Sequence, residues 1–307
     1  MTPAHAHCVK HISSQGPFRI ASQAQRIRTK QMRMSVKKTF FILVCTVAFF
    51  ISWFLYMHKP VIPKVSTPPS LPTKETISNM TNAELEELYY TYVGNVDVLC
   101  TNRIRLGKPD DGGWDVCDDI EHRPQPPCLV YSFGINHDFS FDDAVSDKYG
   151  CEVHSFDPSM GQNDHKHSDR VFFHNLGISD RDFVNDKAWT MKTLTSIKKQ
   201  LHHTKINILK MDIEHDEYKA LPNIIASDEL KDVDQLLFEI HYNPSDVQKA
   251  IIEMARGLEL LRDLRNLGFY VFHFHPNEYN YFTSKMTGRR RTSCSELHML
   301  NVNQNRE

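Results

Sequence analysis

Leu129-Val-Tyr-Ser-Phe133-Gly134, Val153-His-Ser-Phe156-Asp157 and Ile206-Asn-Ile-Leu-Lys-Met211-Asp212-Ile-Glu214 are three short apolar runs, each stopping at a glycine or a carboxylate. Runs of this kind read as parallel strands buried on both faces, whose C-terminal ends line a ligand crevice. One such run is commonplace, but three in order point to a nucleotide-type site. Asp157 follows Gly134 by 23 residues, close to the roughly 20 expected between a first strand-to-helix turn and the acid that holds a ribose diol. Gly134-Ile-Asn-His137 lacks the repeated glycines that let a backbone press against a pyrophosphate, and no G-x-x-x-x-G-K-[ST] occurs. Dinucleotides and ATP are therefore disfavoured. S-adenosylmethionine fits better, because it offers ribose and adenine without phosphate, and its sulfonium favours carboxylates and aromatic faces.

Outward from these runs, the chain reads as alternating strands and helices. Thr81-Asn-Ala-Glu84 is a capping-box pattern, and Leu85, Leu88, Tyr89 and Tyr92 recur at helical spacing. The stretch from there to Pro127 reads as loop. Ser140 and Asp143 are candidate caps for a helix that Gly150 ends. Further strands are expected over 171–176, 234–241, 269–274 and 296–302, with helices over 194–201 and from Val247 to Gly268. Such alternation implies right-handed crossovers and a mainly parallel sheet covered by helices on both faces.

The N-terminal region sets the compartment. Residues 1–38 carry Lys10, Arg19, Arg26, Arg28, Lys30, Arg33, Lys37 and Lys38 with no acid, and 39–57 are uncharged and rich in Phe, Val, Ile and Leu. As a helix that run is about 28 Å long, enough for a hydrocarbon core. The basic flank favours a cytoplasmic N-terminus, and bulky Phe54, Leu55, Tyr56 and Met57 supply no small-residue cleavage site. The expectation is an uncleaved signal anchor of a single-pass type II protein in the Golgi or another secretory membrane. A proline-rich stem over 58–80 follows, then an N-terminal helix and cysteine-containing extension over 81–127 and a catalytic domain over 128–307. Asn79-Met-Thr81 is a glycosylation acceptor, whereas Pro244 disqualifies Asn243. Among Cys100, Cys117, Cys128, Cys151 and Cys294 the expectation is one bridge within the first three, with Cys151 a buried small hydrophobe. The net charge of −2 gives no sign of nucleic-acid binding.

The segments Cys128–Gly134, Ser155–Ser159 and Leu209–Glu214, with Asp111-Gly-Gly-Trp114 ahead of them, resemble the methyltransferase-like protein 24 group, relatives of the FkbM-type S-adenosylmethionine-dependent methyltransferases. The resemblance runs from about Cys100 to the C-terminus. It implies a class I, Rossmann-like fold with a seven-stranded sheet whose last strand is antiparallel. It places Gly134 in the first cofactor loop, Asp157 on the ribose hydroxyls and Asp212 beside the methyl-transfer centre, with Ser132, Phe133 and Pro158 completing the cofactor set. His215 stands where FkbM-type enzymes commonly carry glycine.

Transfer to a hydroxyl needs a base, and the strand ends offer Asp212, Glu214, His215, Glu239 and His241. Asp212, Glu214 and His241 are the catalytic candidates, with a neutral His241 imidazole as proton acceptor. Among the 17 histidines, His165 with His167 and His273 with His275 have x-H-x-H spacing, which on a strand puts both rings on one face, but Pro276 and the polar surroundings fit a surface loop equally well and no metal set is assigned. Arg289-Arg-Arg291 reads as a solvated basic turn. The leading expectation is a lumenal O-methyltransferase acting on a glycan or other secretory-pathway acceptor. Two rivals are a metal-dependent glycosyltransferase using Asp212 and Glu214 as a D-x-D-like pair, and a non-catalytic tethered binding module.

Overall fold

A computed structural model describes residues 28, 32, 33, 38, 41–53 and 70–303. The chain divides into two compact units, Met1–Val61 and Ile62–Glu307. In the first, 41–53 is helical (α1) and exposes Phe41, Ile42, Phe49, Phe50 and Trp53. Among the described residues no helix is long and apolar enough to cross a membrane. The remainder of the expected span, nearly all of the basic tail and stem residues 58–69 lie outside the described residues.

The second unit holds helices α2 (Lys74–Ser78), α3 (Asn82–Val93), α4 (Ser140–Tyr149), α5 (Leu194–Leu201), α6 (Glu217–Ala226) and α7 (Val247–Asn266). Its strands are β1 (Arg103–Leu106), β2 (Trp114–Cys117), β3 (Leu129–Phe133), β4 (Glu152–Phe156), β5 (His165–Lys166), β6 (Val171–His174), β7 (Gly177–Ile178), β8 (Phe183–Val184) and β9 (Thr190–Lys192). The remainder are β10 (Ile208–Met211), β11 (Gln235–His241), β12 (Phe269–Pro276), β13 (Tyr281–Thr283), β14 (Arg290–Thr292) and β15 (Cys294–Asn301).

The main sheet runs β12-β15-β11-β10-β3-β4-β6-β5. Neighbours from β11 to β6 are parallel, and β15 is antiparallel to both β11 and β12. All seven expected strands are present. The sheet has an eighth member because two residues, His165 and Lys166, pair antiparallel with the β6 edge. Register matters most for function: Phe133 pairs with both Met211 and Phe156, and Met211 with Phe238. Of the residues that follow this row, Gly134, Asp157 and Asp212 therefore leave the sheet side by side, next to Glu239, which β11 still carries.

One face buries Tyr131, Phe133, Phe156, Leu209 and Met211 under residues of α3, α5, α6 and α7. The other buries Val130, Val153, Val171 and Ile208 under α4 and the β1–β2 hairpin. The hairpin corrects the loop reading of this stretch, and it takes the place of a second covering helix. It also makes 81–127 part of the same compact unit as the sheet.

The capping box closes α3, with Thr81 N donating to Glu84 at 2.8 Å and Glu84 N to Thr81 at 3.3 Å, a device worth about 1 kcal/mol. α4 starts instead at Phe139 without a side-chain cap, and Gly150 in the left-handed region ends it. Disulfides join Cys100 to Cys117 and Cys128 to Cys151. The first meets the expected bridge; the second overturns the reading of Cys151, because β3 and β4 start side by side and bring the two sulfurs together. Cys294 is buried and free. Arg289 and Arg291 are not a solvated turn either, since they pair with Glu87 on α3 at 2.9 and 2.7 Å. Of the two readings left open for His273 and His275, the strand is the one found, since both lie on β12.

Candidate active site

Where the parallel strands end, a cavity of about 900 Å³ opens, lined among others by Phe133, Gly134, Asp157, Pro158, Asp212, Glu214, Glu239 and His241. The fold thus brings together every expected site residue except Ser132. That side chain is fully buried and absent from the cavity wall, because it points to the opposite face beside Asp142.

The first loop is held from below. Gly134 N donates to Phe156 O at 2.8 Å and Asp212 N to Phe133 O at 3.0 Å, lashing three strand ends together. Gly134 has φ 72°, and a Cβ there would lie 1.6 Å from the Asp212 carbonyl oxygen, so only glycine fits. The buried Lys210 Nζ donates to the carbonyls of Phe133 and Gly134 at 3.1 and 2.9 Å, and it sits 5.1 Å from the centre of the Trp114 ring. A single charged residue inside an otherwise apolar strand was the sequence signal for this support. Trp114, from the Asp-Gly-Gly-Trp motif, is thereby explained as the cover over that ammonium.

Asp157 is buried and its carboxylate is aimed by the chain. Oδ1 accepts from Ser159 N and Oγ at 2.8 and 2.6 Å, and Oδ2 accepts from Asn136 N at 2.8 Å. These bonds hold it in one orientation on the cavity wall. Next to it Phe133 stacks on Phe156 at 4.4 Å. Ile178 and Met191 from the small sheet β7-β9-β8, with Trp189 from the turn before β9, supply an apolar wall that sequence reading missed; strands of two or three residues carry no measurable periodicity.

At the opposite end, four carboxylates surround one imidazole. His241 lies 3.3 Å from Glu217, 3.5 Å from Glu239, 3.7 Å from Glu214 and 3.9 Å from Asp212. Burial lowers the His241 pKa, but the hydrogen bond and charge of Glu217, then Glu239 and Asp212, outweigh it and raise it to about 9. At neutral pH the ring is an imidazolium, so the neutral proton acceptor expected from sequence is corrected. Burial first and the Asp212 charge second raise Glu239 to about 7, against the lowering effect of His241. Asn277 Nδ2 donates to Glu239 at 3.2 Å. A carboxyl group poised near neutrality on a cavity wall is suited to take a proton, and Glu239 is the better base.

Glu217 is the residue that sequence reading passed over. It is fully buried at the start of α6, a helix whose periodicity Pro222 interrupts, and its Oε1 accepts from His241 N at 2.8 Å. Glu214 and His215 both have positive φ, 51° and 73°. Glu214 does not cap α6, whose N-cap is Asp216. His215 lies 3.3 Å from Glu253.

The donor set fits S-adenosylmethionine: an oriented carboxylate for a diol, an apolar wall for adenine, and Asp212 and Glu214 for a cationic sulfur. A family model described as a methyltransferase domain matches residues 69–287. The chain is 30% identical over 209 residues to "Probable methyltransferase-like protein 24" of Rattus norvegicus, covering 62% of this chain and 57% of that protein. To the protein of the same name from Homo sapiens it is 31% identical over 198 residues, covering 60% and 52%. The chain spans little more than half the length of these curated relatives.

Proposed function

The chain belongs to the methyltransferase-domain family, and within it resembles the methyltransferase-like protein 24 group; from that premise we propose an S-adenosylmethionine-dependent methyltransferase that O-methylates a glycan or other hydroxyl acceptor in the secretory pathway. The observation that carries the reading is the single cavity into which Gly134, Asp157, Asp212 and Glu239 emerge in register. When bound, the cofactor supplies a methyl group already activated by its sulfonium. Asp157 accepts hydrogen bonds from the ribose hydroxyls. Asp212 and Glu214 offset the positive charge, and the aromatic and apolar walls exclude water. Glu239 Oε2 takes the hydroxyl proton as the acceptor oxygen attacks. The His241 imidazolium, held by Glu217, keeps the neighbouring carboxylates from all carrying uncompensated charge.

The anchor belongs to the same proposal: 39–57 spans the membrane, residues 1–38 stay cytoplasmic, and the enzyme domain faces the Golgi lumen. Two disulfides support an oxidising compartment, and Asn79 is exposed as a glycan acceptor requires. The glycosyltransferase rival called for the Asp212–Glu214 pair without an Asp157-type signature, yet Asp157 lines the same cavity. The binding-module rival drew on the glycine-poor loop, which Lys210 accounts for.

Calorimetry of the purified full-length chain decides between these readings. One site for S-adenosylmethionine is expected, and none for nucleotide sugars with manganese. Replacing Asp157 by Ala removes charge-assisted hydrogen bonds worth about 1.5–3 kcal/mol, so affinity should fall at least ~10-fold. Unchanged affinity in Asp157→Ala would reject the site.

A further inference from the structure

We propose that Glu152, His154 and His203 form a binding site for one zinc-class divalent cation, at the opposite end of the sheet strands from the cavity. Glu152 and His154 stand two apart on β4 and so share a face. His203 follows the left-handed His202 that ends α5. Their ligand atoms lie within 4.8 Å of one another, and none of the three lines the cavity.

The argument begins with a proton count. Asp164 Oδ2 is 3.1 Å from His174 Nδ1, His174 Nε2 is 2.8 Å from His154 Nδ1, and His154 Nε2 is 2.9 Å from Glu152 Oε1. That is a chain of three hydrogen-bonding links bounded by two carboxylates. Two neutral imidazoles bring only two N–H groups. With each Nδ1 donating towards Asp164, the link left without a hydrogen is the one where a bare His154 Nε2 faces the Glu152 carboxylate. A positive charge belongs there. The His154 side chain is only 8% exposed and lies among Tyr131, His174 and His203 rings.

A metal ion meets the deficit with geometry already in place. His203 Nε2 lies 3.6 Å from the same Glu152 Oε1. For metal–ligand bonds of about 2.0–2.1 Å, tetrahedral ligands stand about 3.3–3.4 Å apart, and the observed 2.9 and 3.6 Å bracket that value. Both imidazoles have their other nitrogen engaged, His154 by His174 and His203 by the Tyr131 hydroxyl at 2.7 Å. Such outer partners orient metal-bound histidines. Asp164 is itself held, accepting from Asn175 N at 2.8 Å. Two imidazole nitrogens and one carboxylate oxygen select zinc over magnesium or calcium. Glu152, half exposed, leaves an entry path and a fourth position for water. The bound ion would tie the start of β4 to the turn between α5 and β10.

The test strips the purified full-length chain with chelator and dialyses it against zinc chloride. Elemental analysis should then find one zinc per chain that His203→Gln and Glu152→Gln each lose or bind at least 10-fold more weakly. Tyr131→Phe, which only unseats His203, should weaken it less. Both surface variants must keep the wild-type circular dichroism spectrum. Cobalt in place of zinc should give the intense visible bands of a tetrahedral site in the wild type alone. The proposal is overturned if the wild type retains no zinc, or if folded His203→Gln and Glu152→Gln retain as much as it does.

Discussion

Asp157, just past the end of β4, and Glu239, two residues before the end of β11, lie on parallel-running strands of one sheet and open onto one cavity, yet their surroundings are opposites. Asp157 accepts three hydrogen bonds from its own chain, two of them from backbone N–H groups. Glu239 is bonded by side chains alone, Asn277 and the Cys294 thiol, sits among other acids and is held near neutrality by burial and the Asp212 charge. The Glu239 end also contains a buried Glu217 oxygen with no hydrogen-bond partner. A carboxylate satisfied in advance is suited to hold a ligand in one place. A buried carboxylate crowded by another acid is poised to exchange a proton. The cavity thus divides into a half that positions and a half that reacts.

The largest expected effect separates those halves at Glu239. Glu239→Gln should lower turnover about 10²- to 10⁴-fold and leave S-adenosylmethionine affinity near the wild-type value. Its stability should move the other way. A folded carboxyl pKa of about 7 lies above the ordinary 4.5, so folding favours the protonated form. The charged form then costs stability as pH rises from 4.5 to 7, and fully above that. The amide should therefore stabilise the protein at pH 8 by about 2–3 kcal/mol and by nothing at pH 4, as thermal melts at the two pH values would read. Wild-type turnover should rise through about pH 7 as Glu239 ionises and fall near 9 as His241 loses its proton. The acid limb should vanish in the variant. A limb that persists assigns the base elsewhere.

Gly134 is where the halves touch, and the next effect breaks them apart. In Gly134→Ala the new methyl carbon meets the Asp212 carbonyl at 1.6 Å in a backbone that disfavours side chains. The ends of β3 and β10 must separate, costing about 3 kcal/mol or more. Denaturant melts should show that loss, and both cofactor binding and turnover should fall. Gly161→Ala is the matched control: its φ is 64° and nothing lies within 4 Å of the added carbon. It should cost only about 1 kcal/mol.

What could be read from the chain follows the same division. The strands ending at Gly134, Asp157 and Asp212 are nearly continuous apolar runs, each closed by a glycine or a carboxylate, and parallel pairing leaves little choice about where their ends meet. Long helices such as α7 announce themselves by period. The charge balance at His241 was not legible, because it depends on Glu217, which arrives from a different helix. Met191 was hidden in a strand too short to show alternation, and Trp189 in the turn before it. The β1–β2 hairpin was a different kind of miss: Arg103-Ile-Arg-Leu106 does alternate, and the signal was obscured by the polar turn with Gly112 and Gly113 that follows.

The smallest effect concerns the turn that carries Glu214. His215 occupies a left-handed conformation at φ 73°, where FkbM-type enzymes commonly have glycine. A non-glycine residue there costs about 1 kcal/mol. Against this stand a tilted ring contact with His241 at 5.6 Å and the contact with Glu253, on a side chain 36% exposed, and such ion pairs contribute about 0–1 kcal/mol. Glu253 loses little when the imidazole goes, since it also accepts from Asn243 N at 2.7 Å. His215→Gly should therefore raise stability by a few tenths of a kcal/mol, or about 1–2 °C in a thermal melt, with turnover unchanged. A loss of turnover at constant cofactor affinity would move His215 into the reacting half, and the boundary between the halves would then run through this turn instead of along Gly134.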